Sequence, residues 1–187
     1  MQKLNLVCGN ENEYQYILVT KEKTIATDKY CFVSFKTKSL FGDAFYNQLK
    51  ETDRFLIHKN DWIKLTKPYL LFKLVDDKIE ISRKANITDF IILKKEGEDV
   101  KYNDVFFLEV MSKFVYEGES VDKLGINIVL HQNMQKALYP EVPSTGLYPL
   151  YLHFPNDYLQ FNSPIKITTD NNDYQFDAYI MPIKSNL

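Results

Sequence analysis

The chain has 187 residues and a formal net charge of −2 at pH 7. That length suits one large domain or two small ones with a real core, and the near-neutral charge excludes a generally basic nucleic-acid coat, leaving room only for a local basic face. Its 13 Tyr and 13 Phe favour half-buried strands over disorder.

In chain order, residues 1–9 hold an apolar run too short for a signal-peptide core, and no later stretch reaches membrane-spanning length. A cytoplasmic protein with no membrane partner is the expectation. Cys8 and Cys31 lack CxxC spacing and read as buried thiols. Period-two alternation over 14–19, 24–28 and 30–35 predicts strands, with Lys21, Glu22 and Lys23 as a turn and a break at Asp28 and Lys29. The period then changes. Phe41, Phe45 and Leu49 recur at four-residue steps, which predicts a helix or helical loop inserted near 39–54. Residues 57–65 predict a first helix, with Trp62 and Leu65 on its apolar side and Lys64 and Lys67 away from them. Strands are predicted at 70–74, 78–82 and 89–93, and the charged run 94–99 reads as a solvated turn. Residues 104–116 fit a strand through 105–108 or a helix through Phe107, Met111 and Val115; the helix is favoured.

The segment 126–184 organises the rest. It reads as a strand (126–129), an amphipathic helix (130–138), a Pro/Gly loop, strands at 150–154, 158–161 and 174–180, and a closing 180–184. On a helical wheel Leu130, Met134, Ala137 and Leu138 share one face, and Gln132, Gln135 and Lys136 share the other. The stretch 57–65 aligns with 129–137, matching Trp62 to Met134 and Lys64 to Lys136, and 74–81 aligns with 154–161. Two copies of one unit predict a single duplicated α+β domain with pseudo-repeats of about 14–100 and 101–187. Both helices should then lie on one face of a continuous antiparallel sheet.

Enzyme signatures return nothing. His58, His131 and His153 have no HExxH or carboxylate spacing around them, and the Asp76–Asp77 and 170–173 clusters fit turn chemistry. No GxGxxG, GxxxxGK[ST] or GxSxG occurs among the six glycines. The expectation is a non-enzyme with no catalytic residue, no metal and no cofactor.

The strand-helix-meander halves, the run Thr24-Ile25-Ala26-Thr27-Asp28 after a strand, and the closing Tyr179-Ile180-Met181-Pro182-Ile183-Lys184 resemble the sliding clamps of DNA replication, specifically the bacterial DNA polymerase III beta subunit. The resemblance implies a DNA-clamp-like α+β fold and a processivity or tethering factor, with a phage or mobile-element origin as one expectation. Its implied partners are double-stranded DNA, peptide motifs of replication proteins and further copies of the chain. Family members carry several such domains per chain and this chain has room for one, so a ring needs many copies. On the two helices Lys64, Lys67, Gln132 and Lys136 are the expected DNA-facing residues, following phosphates without reading bases. Met181, Pro182 and Ile183 match the family's tail, which lines a pocket for partner peptides. The alternative is a clamp-fold interaction or regulatory module that never encircles DNA.

Overall fold

The computed structural model describes residues 1–67, 70–84, 86–97, 100, 102, 128–138, 150–154, 164–169 and 176–181. Three strands open it: β1 (Tyr16–Thr20), β2 (Lys23–Thr27) and β3 (Cys31–Lys36). Lys29 takes a positive φ of 81° in the β2–β3 turn, and Asp28 Oδ1 accepts from the Tyr30 and Cys31 amides to hold it. Two short helices follow, α1 (Thr37–Phe41) and α2 (Asp43–Tyr46). Gly42, at φ +81°, breaks them where a side chain would be strained. The predicted stripe is the buried one: Phe41, Phe45 and Leu49 all lie in the core.

Strand β4 (Arg54–His58) leads into α3 (Lys59–Leu65), whose N-cap His58 accepts the Asn60 amide. A meander follows, β5 (Leu71–Val75), β6 (Lys78–Arg83) and β7 (Asn86–Ile92), with β8 (Lys94–Lys95) directly behind it. The C-terminal part contributes α4 (Ile128–Leu138), β9 (Leu150–His153), β10 (Ile165–Thr169) and β11 (Phe176–Ile180). Among the described residues the strands form an eight-stranded sheet in the order β8-β4-β1-β2-β3-β11-β10-β9 and a three-stranded sheet β5-β6-β7. Every pairing is antiparallel.

Alternation sorts the large sheet into two faces. Ile17, Val19, Ala26, Val33, Phe35, Phe55, Ile57, Ala178 and Ile180 join one core with the helices. Their neighbours Leu18, Ile25, Phe32, Leu56 and Tyr179 form a second cluster beneath Tyr102. Burial on both faces is why β1 reads Ile-Leu-Val without a polar partner residue. Trp62 and Leu65 of α3 and Met134, Ala137 and Leu138 of α4 all enter the first core. The fold is therefore α+β, antiparallel sheets with the two helices packed on one face.

Four expectations need correction. The sheet is not continuous among the described residues, because after Leu93 the chain leaves β7 and pairs with β4 as β8. That pairing also makes Lys94 and Lys95 strand rather than turn, secured by Arg54 and Glu96, which form an ion pair. Ile128 and Val129 begin α4 rather than ending a strand; β-branched propensity yields there to the helix's packing. Strand β10 was missed, although Ile-Lys-Ile-Thr-Thr is a β-branched alternating run. The predictions for 104–116 and 158–161 fall outside the described residues.

Candidate nucleic-acid and peptide interfaces

The helices α3 and α4 reach the same surface because both pack on the 3-10 helix Leu4–Leu6. Trp62 Nε1 donates to the Gln2 carbonyl at 2.8 Å, and Gln2 Nε2 donates to the Leu138 carbonyl at 2.9 Å. With their apolar sides committed to one core, their remaining sides point away from the large sheet together. Gln132 and Lys136 of α4 are exposed there, and no carboxylate lies within ion-pair range of Lys136 among the described residues.

The lysines of α3 divide by environment. Lys64 Nζ stands 3.5 Å from Asp61 and 3.7 Å from Asp89 of β7, so two carboxylates offset its charge. Lys67 is exposed but lies in a bend two residues past the end of α3, not on the helix as predicted; the helix ends as Thr66 turns back to the Ile63 carbonyl. Lys59, which the sequence did not single out, turns inward and donates to the Gly9 carbonyl at 2.7 Å and Asn10 Oδ1 at 2.5 Å. Ile63 and Val129 are exposed apolar residues on the same helices.

The second candidate surface lies at the end of the β3–β11 pair. Met181 continues the β11 pairing by one bond, its amide donating to the Tyr30 carbonyl at 2.7 Å. Beside it is a crease of about 160 Å³, lined by Tyr30, Phe32, Tyr179 and Met181 and nowhere wide enough for a water molecule. Phe32 and Tyr179 belong to the cluster facing away from the helices, whereas Cys31 and Ile180, which also line the crease, belong to the core beneath them, so the crease sits at the end of the sheet. Burial, with repulsion from Asp177 added, pushes the Tyr179 phenol up to about 12, so this wall is neutral. Pro182 and Ile183 lie outside the described residues.

Elsewhere the polar groups are structural. The Cys8 thiol is pushed up to about 12 by burial, and burial raises Cys31 as well, which leaves both as inert thiols. His58 contacts Gln15, and His153 contacts Thr168. Among the described residues no three His, Cys, Asp or Glu side chains come together as a metal site, and no helix is long and apolar enough to cross a membrane.

No protein-family model matches the sequence, and no curated protein matches it. Solved structures do. The Helicobacter pylori beta clamp superposes with a TM-score of 0.60 at 12% identity, over 98% of this chain and 62% of that one. The DNA polymerase sliding clamp of Pseudomonas aeruginosa gives 0.54 at 12% identity, over 99% of this chain and 66% of that one. The chain thus spans less than two thirds of the length of either clamp. At this identity the likeness is one of fold, and nearly the whole chain shares it: this is a clamp-like protein with the fold of the bacterial DNA polymerase III beta sliding clamps.

Proposed function

We propose that the chain is a non-enzymatic, DNA-associated tethering factor that touches the duplex backbone with its helix face and presents partner proteins to it. The observation that carries this reading is the common placement of α3 and α4 on one side of the large sheet, with Lys67 and Lys136 exposed, while the crease beside Met181 lies apart from them at the end of the β3–β11 pair. Separate surfaces let one molecule touch DNA with its helices and take a peptide laid over the crease, rather than inserted into it. The two helices are read as equivalent parts of a duplicated unit.

Few lysines give little affinity. Each neutralised phosphate contributes a slope of about −0.9 in log affinity against log salt, so the chain binds weakly and loses binding further as salt rises, with the modest slope that a few contacts give. Retention on DNA then depends on a closed assembly of copies. The test is retention on a nicked circular duplex across a salt series. Lys67→Glu with Lys136→Glu is expected to flatten the salt slope by roughly 1.8, and an unchanged slope, or no retention by the wild type, would sink the reading.

The second reading is a clamp-fold interaction module that never encloses DNA. It is favoured by the carboxylates around Lys64 and by exposed Ile63 and Val129 on the helix face, since apolar side chains gain nothing beside phosphates. A monomeric solution mass at all concentrations supports this second reading.

A further inference from the structure

We propose that residues 1–9 form a clasp in which Gln2 is a positioning residue, fixing the C-terminal end of α4 relative to α3. Leu4 and Val7 are buried in the main core, and Gln2 is 2% exposed. One residue thus holds both helices, its backbone carbonyl taking the Trp62 indole and its side chain capping the last carbonyl of α4 across 136 positions of sequence. A second anchor holds the other end of the segment. The Gly9 amide donates to the Thr27 carbonyl and the Gly9 carbonyl accepts from Lys59, the first residue of α3. Gly9 passes so close to its surroundings that a Cβ would meet Tyr14 Cβ at 3.0 Å.

The orphan atom separates positioning from stability. Among the described residues Gln2 Oε1 is buried without a hydrogen-bond partner, which costs free energy that an apolar side chain of similar length would avoid. Such a side chain would fill the space but leave the end of α4 uncapped. What the amide supplies is a fixed location for a helix that enters the core from far along the chain, at some expense in stability.

This inference uses the helix face of the proposed function, but its test does not require DNA. In Gln2→Leu the orphan carbonyl and the cap vanish together, so the melting temperature should stay within a few degrees while amide exchange at residues 134–138 speeds up about fivefold. Sheet amides in β1 and β4 should keep their rates. Trp62 is the one tryptophan of the chain, and its emission should stay that of a buried indole because its acceptor is backbone. Unchanged exchange at 134–138 would overturn the clasp, as would an equal loss of protection in helix and sheet, which marks general destabilisation. If Gln2→Leu prevents folding, Gln2→Met keeps the length and carries the same readout. Failure of wild-type DNA retention would remove the tethering reading and leave these exchange rates to decide the clasp.

Discussion

Trp62 concentrates most of what holds the helix face in place. Its ring is fully buried, meets Phe41 edge-on at 5.9 Å, and donates its indole proton to Gln2. Trp62→Ala is expected to cost about 3–5 kcal/mol through the cavity it leaves. Trp62→Phe keeps most of the volume but strands the Gln2 carbonyl, for about 1–3 kcal/mol. Denaturant titration should rank them in that order, and equal losses would show that the hydrogen bond outweighs the packing of the ring. Asp28 offers a pH test. Burial raises its carboxyl above the ordinary range, against the pull of the Cys31 and Tyr30 amides. A raised folded pKa means the stabilising contribution is complete below the ordinary carboxylate value and is lost as pH rises through the folded value. Asp28→Asn retains the acceptor for both amides, so it should melt above wild type at pH 7 and lose that advantage in acid. A constant difference across pH would refute the assignment.

At the scale of elements, α3 and α4 present different electrostatic surfaces although the sequence pairs Lys64 with Lys136. Asp89 arrives from β7 and Asp61 from one turn earlier in α3, so Lys64 has carboxylates beside it and Lys136 has none among the described residues. Lys136→Ala should therefore reduce duplex binding more than Lys64→Ala, measured as the salt dependence of retention. The reverse order would mean that α4 does not face DNA. The tail is tested separately. A chain ending at Met181 keeps the bond to Tyr30 and the buried Ile180, so it should fold. Titrated with a clamp-binding peptide, it should bind more weakly than the full chain if 182–187 complete the pocket, and equal affinity would remove that segment from the site.

Across the whole molecule, sheet edges set the options for assembly. Gln48 Oε1 accepts the Leu74 amide, so α2 and its following turn shield the β5 edge. At the opposite end of that sheet β7 carries Ile87, Phe90 and Ile92, between 52% and 67% exposed, on the side away from Ile79 and Ile91 of the core. Among the described residues β7 is an outer strand, and its apolar side chains suit contact with a second copy of the chain. Phe90→Glu with Ile92→Glu should lower the solution mass at fixed concentration and leave the fold unchanged by circular dichroism. A wild type that stays monomeric at high concentration would rule out assembly through β7.

Local chemistry alone determined a good deal. Alternation located β1 to β3, four-residue spacing of Phe41, Phe45 and Leu49 marked a helical stretch whose stripe proved buried, and the amphipathic wheel assigned Met134, Ala137 and Leu138 inward. These patterns are legible because a buried face repeats with the period of its element. The order of units was also enough to suggest the clamp fold. Other features depend on which distant segments meet, and only the tertiary structure decided them. Val129 turned helical and Lys94 entered a strand because of their neighbours in space. Lys64 of α3 met an aspartate on β7, and Gln2 became a cap for a helix 136 residues away. Periodicity encodes which side of an element is apolar; it carries no information about what stands opposite the polar side, and the candidate interfaces are made there.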